Sequence, residues 1–213
     1  IYRHVWLSVT DRVYFTKWGS FISTLNSDPD ESEIKLSTAI ANELSLSSDI
    51  KLSTSIINPA KQEIMTGIQK LTIEAGRDTM ISQSYKIPSA YLWSPDTPDL
   101  YQLILKITGE ESGQLIDSLS IPFGIRSIEY STEGFFLNGK NTLLKGANVH
   151  HDHGPLGAAS FDRAEERKVK ILKDAGFNAV RTAHNPPSTA FLDACDRYGL
   201  MVMDEIFDVW KVA

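Results

Sequence analysis

The sequence predicts a multidomain fold: an all-β immunoglobulin-like sandwich followed by the first βα units of a TIM (β/α)8 barrel, which is incomplete in this chain. Short runs of alternating apolar and polar residues fill the first half, the pattern of strands with one buried face. Short apolar runs then alternate with helical patterns, which indicates parallel βαβ units. Roughly 85 of the 213 residues follow Ser127, whereas a complete barrel takes about 250. We therefore expect the chain to be a piece of a larger protein.

Seven strands are predicted within residues 8–125, the number expected of an immunoglobulin-like sandwich of roughly 100 residues. The predicted strands are Val13–Ile22, Ile34–Thr38, Ile50–Thr54, Gln69–Ile73, Met80–Ile87, Leu103–Ile107 and Leu115–Leu119. The segment Trp93–Tyr101 is predicted to be a turn that enters a strand. No cluster of His, Cys and acidic residues occurs in this half, so we assign it a structural role.

Residues 126–213 are predicted to begin the barrel. Asn138-Gly139 lies between apolar runs and is the strongest short signal for a hairpin. A helix with one charged and one apolar side is predicted over Asp162–Ala175, directly before a glycine. A second helix is predicted from an N-cap at Ser188 to its end at Gly199.

Composition excludes several classes of protein. The net charge of −6 and the isoelectric point near 5.4 argue against nucleic acid or an anionic membrane as a partner, because both favour a basic surface. No apolar run approaches the roughly 20 residues needed to cross a bilayer. The single cysteine, Cys195, cannot form an internal disulfide. The first residues carry no signal-like region, so the localisation stays open.

Three polar clusters follow the apolar runs of the predicted barrel strands. Asn148–His153 follows Thr142–Ala147, Arg181–Pro187 follows Asn178–Val180, and Asp204-Glu205 follows Leu200–Met203. The carboxyl ends of parallel barrel strands meet at one face, where barrel enzymes have their active sites. These clusters are therefore the candidate functional site.

The histidines of the first cluster suggest a metal site. His150, His151 and His153 lie close together, but no Cys and no His-x-x-x-His helix completes a set of ligands. We predict that they are polar residues at a strand end, and that the chain holds no metal and no cofactor.

The second cluster has two interpretations, and strand geometry limits what the two carboxylates of the third can do. Arg181 and His184 could be buried polar residues that hold the fold together, but Asn185-Pro186-Pro187 predicts a rigid loop suited to hold side chains toward a ligand. We favour a ligand-binding role. Side chains on neighbouring strand residues point to opposite faces, so at most one of Asp204 and Glu205 faces a substrate.

Three ordered segments of the chain carry a family resemblance. Leu143–His150, Phe177–Pro186 and Leu192–Glu205 resemble the first barrel strands of the family 2 glycoside hydrolases, the β-galactosidase and β-glucuronidase group. Leu92–Tyr101 and Phe123–Arg126 resemble the immunoglobulin-like middle domain of that family. The resemblance covers essentially the whole chain.

The resemblance implies three domains. Tyr2–Leu7 is similar to the end of the N-terminal sugar-binding jelly roll of the family. We therefore assign residues 1–7 to a jelly roll, 8–125 to the immunoglobulin-like sandwich and 126–213 to the start of the catalytic barrel.

The resemblance also implies retaining hydrolysis of a terminal β-glycoside by two glutamates on later barrel strands, one of them in an Asn-Glu pair. No Asn-Glu pair occurs after Phe135, and the only one, Asn42-Glu43, lies in the predicted sandwich. We expect no catalytic residue in this chain. The parent enzyme would most simply be a β-galactosidase. A β-glucuronidase or other β-glycosidase of the family is an alternative, and so is a non-catalytic β-sandwich module that binds carbohydrate or is structural.

Roles for individual residues follow from the resemblance. The expected substrate-binding residues are Asn148, His150, Arg181, His184, Asn185 and Asp204. Glu205, His151 and His153 are expected to contact these residues rather than the substrate. Asn185 stands where many members have tyrosine, which leaves the sugar undecided. Ile206–Trp210 replaces the Glu-x-His of magnesium-binding galactosidases, so the resemblance supports no metal here.

The expected partners are a β-linked sugar or oligosaccharide, further copies of the chain, or the rest of the parent enzyme. Three parallel strands leave an open sheet edge and uncovered apolar faces, which favour association.

Overall fold

The computed structural model describes residues 3–207, so Tyr2 and Asp208-Val209-Trp210 lie outside the described residues. Two compact units are present. The sandwich unit comprises Ser8–Leu92 and Asp99–Ser127. The strand–helix unit comprises, within the described residues, 3–7, Trp93–Pro98 and 128–207.

Seven strands build the sandwich unit. They are β1 Val13–Asn26, β2 Glu31–Asn42, β3 Ser48–Ile57, β4 Glu63–Ile73, β5 Arg77–Pro88, β6 Tyr101–Gly109 and β7 Leu115–Phe123. One sheet has the order β1-β2-β5 and the other β4-β3-β6-β7, and all pairs are antiparallel. Every predicted strand lies inside an observed one, which confirms the all-β sandwich.

Alternate side chains from both sheets fill the core of this unit. Ile34 and Leu36 of β2 are buried with Ile50 and Leu52 of β3, and the residues between them are more exposed. Burying one such side chain contributes about 1.5–3 kcal/mol. The period-two pattern in the sequence therefore identifies the face that each strand buries.

The strand–helix unit begins with a small antiparallel sheet of β8 (Ile128–Ser131), β9 (Gly134–Leu137) and β10 (Lys140–Asn141). Asn138 and Gly139 form the turn between β9 and β10 with φ angles of 51° and 72°. Two positive φ angles are what a tight two-residue hairpin requires. The predicted hairpin is confirmed.

A parallel sheet and two helices follow. The strands are β11 Gly146–Val149, β12 Ala179–Thr182 and β13 Met201–Asp204, in the order β11-β12-β13, and the helices are α1 Asp162–Asp174 and α2 Thr189–Tyr198. A one-turn 3-10 helix, Gly154–Leu156, lies between β11 and α1. This alternation confirms the predicted βα units.

Both ends of α2 lie where the sequence predicts them. The Ser188 hydroxyl accepts the N–H of Phe191 at 3.2 Å, and Gly199 ends the helix in the left-handed conformation. Phe191 and Cys195 of α2 pack with Val169 of α1 and Val180 of β12 in one buried cluster. Cys195 is a free thiol buried in this cluster.

Strand β11 begins later than the apolar run that predicts it. Leu143 is exposed, and the strand starts at Gly146. The Asn178 side chain accounts for this, because its Oδ1 accepts the N–H of Lys145 at 2.7 Å and its Nδ2 donates to the Leu143 carbonyl at 2.9 Å. Asn148 therefore lies inside β11 rather than after it.

The strand register divides the parallel sheet into two faces. Val180 and Thr182 of β12 lie on the face that packs against the helices. Asn148, Arg181 and Met203 are neighbours in register on the opposite face, which is the interior face in a barrel.

The segment Trp93–Pro98, which the sequence assigns to the sandwich, belongs to the strand–helix unit. Trp93 is 1% exposed, and its indole N–H donates to the Asp196 carbonyl at 2.9 Å. The Lys173 ammonium donates to the carbonyls of Pro95 and Gly199, each at 2.9 Å. This segment therefore contacts the C-terminal ends of both helices.

Gly199→Ala is expected to destabilise the protein by about 2 kcal/mol or more. Its φ is +75°, and a Cβ at this position would lie 2.4 Å from the Pro95 carbonyl oxygen, so backbone strain and a steric clash add together. Gly176→Ala is the matched control, since φ is +86° but nothing lies within 4 Å of the added Cβ. Denaturant titration of both variants measures the difference, and equal losses of stability would contradict the packing of Pro95 against Gly199.

Candidate functional site

The first two polar clusters meet inside the parallel sheet. Asn148 of β11 and Arg181 of β12 are paired in register, and the Arg181 guanidinium donates to Asn148 Oδ1 at 3.3 Å. Both side chains lie on the face opposite the helices. Hydrogen-bond donors and acceptors are thus presented on the interior face close to the carboxyl ends of the strands.

Glu205 joins the second and third clusters. One carboxylate oxygen pairs with the Arg181 guanidinium, and the other lies 3.0 Å from His184 Nδ1. The Glu205 side chain is 19% exposed. A carboxylate only accepts hydrogen bonds when ionised, so this contact places a proton on Nδ1 of His184.

His150 completes the group at the strand ends. Its ring centroid lies 5.6 Å from that of His184, with the rings edge to face. The peptide bond that precedes His184 is cis. The structure thus brings together His150, Arg181, His184 and Glu205, one or more from each predicted cluster.

Asp204 and Glu205 point to different sides of the sheet, as the strand alternation predicts. The Thr182 hydroxyl donates to Asp204 Oδ1 at 3.0 Å, and Thr182 is buried on the helix side. Asp204 therefore contacts β12 from the side opposite to Arg181. The two carboxylates do not form a pair.

His151 and His153 contact residues away from the sheet interior. His151 Nδ1 lies 3.3 Å from the Arg3 guanidinium, which also donates to the Pro186 carbonyl at 2.8 Å. Burial, together with the positive charge of Arg3, lowers the pKa of His151. The ring of His153 is buried, with its Nε2 3.4 Å from a carboxylate oxygen of Glu165.

Asn185 lines a narrow pocket beside the strand ends. His150, His151 and Lys168 line the same pocket. Burial lowers the pKa of Lys168, although the nearby carboxylates of Glu165 and Asp152 oppose this effect.

Sequence reasoning missed three residues that contact the strand-end loops: Arg3, Glu165 and Lys168. Glu165 is four residues before the buried Val169, so helical spacing places it on the apolar side of α1. That spacing is a signal that could have identified it. No comparable local signal marks Arg3, because its contacts are with residues more than 140 positions away.

Among residues 3–207, no group of three or more His, Cys, Asp or Glu side chains is placed to hold a metal ion. Neither helix in that range is long and apolar enough to span a membrane.

Two family models match nearly the whole of the folded chain. Residues 19–126 match the model of the glycosyl hydrolases family 2, and residues 128–209 match the TIM barrel domain of the same family. The chain belongs to glycosyl hydrolase family 2. The two matches confirm the predicted fold class, a sandwich followed by the first βα units of a family 2 barrel.

Named relatives agree with this membership. The β-galactosidase BoGH2A of Bacteroides ovatus is 37% identical over 99% of this chain and 25% of its own length. A solved family 2 structure from Bacteroides cellulosilyticus is 40% identical with a TM-score of 0.90, over 94% of this chain and 28% of that one. β-Glucuronidase 2 of Bacteroides uniformis is 26% identical with a TM-score of 0.88, over 92% and 24% of the two chains. The chain thus spans about a quarter of the length of these relatives.

Proposed function

We propose that this chain forms part of the sugar pocket of a retaining exo-β-glycosidase, most simply a β-galactosidase. The observation that carries the proposal is the contact of Glu205 with both Arg181 and His184, next to His150, at the carboxyl ends of three parallel strands. Barrel enzymes bind their substrates at this face. The β-galactosidase BoGH2A, which is similar over 99% of the chain, supports the choice of sugar.

The proposed contacts follow the chemistry of a sugar. Hydroxyl groups both donate and accept hydrogen bonds, which suits imidazole, guanidinium and amide side chains. We assign sugar contacts to His150, His184, Asn148, Arg181, Asn185 and Asp204. For Asp204 the assignment rests on the family resemblance alone, because its carboxylate accepts a hydrogen bond from Thr182 on the helix side of the sheet. In this proposal Glu205, His151 and His153 hold the contacting side chains in place.

The two catalytic glutamates are proposed to lie in the rest of the full-length protein. Retaining hydrolysis needs two carboxyl groups about 5 Å apart on either side of the bond that breaks. Asp204 and Glu205 do not fit that requirement, because each is hydrogen bonded on a different side of the sheet. Replacing the glutamate of an Asn-Glu pair at the end of a later strand in the full-length protein should abolish activity.

A panel of nitrophenyl glycosides tests the substrate. We expect the full-length protein to hydrolyse the β-galactoside with the highest kcat/KM and with retention of configuration, which NMR of the first-formed sugar detects. Faster turnover of the β-glucuronide would favour the alternative that the similar β-glucuronidase 2 supports. Absence of turnover on the whole panel, with sugar binding retained, would favour a non-catalytic carbohydrate-binding module.

The 213-residue chain by itself is expected to be inactive. It supplies one wall of the proposed pocket, whereas glycoside cleavage needs both carboxyl groups. The measurement compares nitrophenyl β-galactoside hydrolysis by the isolated chain and by the full-length protein at equal concentration. Turnover by the isolated chain above that of heat-denatured chain would contradict the placement of the catalytic glutamates.

A further inference from the structure

Glu165 is a buried carboxylate on α1 that lies outside the proposed sugar contacts. It is 2% exposed. The hydroxyls of Ser160 and Ser188 donate to its Oε1 at 2.6 Å and 2.9 Å. A buried carboxylate is retained in a fold only where hydrogen bonds and opposite charge compensate for the water it loses.

The carboxylate is compensated on both oxygens. Oε2 lies 3.4 Å from His153 Nε2 and 3.9 Å from the Lys168 ammonium. Burial opposes ionisation, but the hydrogen bonds from Ser160 and Ser188, together with the nearby Lys168 and His153, outweigh it and hold the pKa of Glu165 below its ordinary value. Glu165 is therefore ionised at neutral pH.

The partners of Glu165 belong to two different strand-end loops. His153 and Ser160 lie in the loop after β11, which begins with His150. Ser188 ends the loop after β12, which contains His184 and Asn185. Ser188 uses its one proton for Glu165 and a lone pair for the Phe191 N–H, so the same hydroxyl also starts α2.

Lys168 adds a third connection from the same helix. Its ammonium donates to the His150 carbonyl at 2.9 Å. Lys168 lies one turn after Glu165 and beside its carboxylate. Lys168 thus holds the backbone at the start of the loop after β11. Glu165 holds a serine side chain at the end of that loop and another at the end of the loop after β12.

We propose that Glu165 is a positioning residue that fixes the loops after β11 and β12 relative to each other, and so sets the 5.6 Å spacing of His150 and His184. Its effect on catalysis rests on the proposed function, because only a sugar pocket makes that spacing matter for turnover. Its effect on the two loops does not.

Glu165→Gln in the full-length protein tests the proposal, with Glu166→Gln as the matched control. Hydrogen bonds from Tyr198 and Arg163 lower the pKa of Glu166 to about 2, so both variants remove one negative charge from α1. Only Glu165 contacts the loops. Glu165→Gln should speed hydrogen–deuterium exchange in residues 150–160 and 183–188, and Glu166→Gln should leave both segments unchanged.

Kinetics provide the second measurement. A shift of a contacting group by about 1 Å costs on the order of 100-fold in rate, so we expect kcat per folded molecule to fall about 10-fold or more in Glu165→Gln. KM should change less, because positioned groups act most strongly in the transition state. Circular dichroism measures the folded fraction by which kcat is normalised.

Each outcome has one meaning. Unchanged exchange in folded Glu165→Gln, or kcat equal to that of Glu166→Gln, overturns the proposal. If the wild-type protein hydrolyses no glycoside, faster exchange in Glu165→Gln would defeat the proposed function and leave the loop contacts standing.

Ser160→Ala is the second variant, for use if Glu165→Gln does not fold, because it removes only one hydrogen-bond donor to Glu165. It should speed exchange in residues 150–160 alone and lower kcat about 3-fold, and no change in either would overturn the proposal.

Discussion

If the proposed function holds, Glu205→Ala is expected to lower kcat/KM of the full-length protein for the proposed β-glycoside substrate by about 100-fold. The carboxylate contacts both Arg181 and His184 and is mostly buried between them. Its loss leaves a guanidinium and an imidazole without the anion that orients them, and a displacement of about 1 Å at such groups is enough for this effect. Initial-rate kinetics on the preferred nitrophenyl glycoside measure it.

Two further variants separate orientation from other causes. Glu205→Gln keeps one acceptor oxygen but loses the charge, so a smaller fall of about 10-fold is expected. Glu129→Ala is the same deletion at an exposed position of β8, where surface substitutions change stability by no more than about 0.5 kcal/mol. A kcat/KM for Glu205→Ala within threefold of that for Glu129→Ala would be incompatible with the proposed role of Glu205.

The sequence predicts the features of this fold that depend on near neighbours. Alternation along β2 and β3 identifies their buried faces because side chains in a strand repeat every two residues. Ser188, Gly199 and Asn138-Gly139 mark their turns and caps because each residue type satisfies a local requirement on hydrogen bonding or φ. Such requirements can be read without knowing what the element packs against.

The features that the sequence misplaces depend on distant partners. Asn178 takes the hydrogen bonds of Leu143 and Lys145, so the apolar run there does not become part of β11. Helical spacing places Glu165 on the apolar side of α1, but the hydroxyls that make the burial of its carboxylate possible come from two loops. In both cases the compensating groups come from another element, and periodicity within one segment cannot identify them.

The candidate site is also predicted only in part: the sequence indicates which strand ends meet, but not which side chains touch. The order of strands and loops predicts that His150, Arg181 and His184 share one edge of the sheet, because carboxyl ends of parallel strands meet there. Which side chains touch depends on register and rotamer. Glu205 rather than Asp204 contacts Arg181 because the residue after the strand turns back to the interior face, while Asp204 is held by Thr182.

Trp93→Ala is expected to destabilise the strand–helix unit by about 3–5 kcal/mol, the usual cost of deleting a buried tryptophan. Trp93 is 1% exposed, its N–H donates to the Asp196 carbonyl, and its own carbonyl accepts from Asn138 at 3.1 Å. Its removal leaves a cavity beside α2 and takes the indole donor away from the Asp196 carbonyl. Denaturant titration of the full-length protein measures the loss in the transition that reports this unit.

The matched control is Trp18→Ala, which deletes the same side chain where it is 82% exposed. A change within about 0.5 kcal/mol is expected there, as for other surface positions. Trp93→Phe keeps most of the apolar volume and removes the N–H donor, so an intermediate loss of about 1–3 kcal/mol should follow.

Trp93→Ala is also expected to affect the candidate site through α2. This helix is capped by Ser188 and ends beside Trp93 and Pro95, so loosening its C-terminal end should also loosen the loop that holds His184. Trp93→Ala should therefore lower kcat/KM at temperatures where the variant is still folded, whereas a loss of stability with unchanged kcat/KM would show that the two ends of α2 are independent.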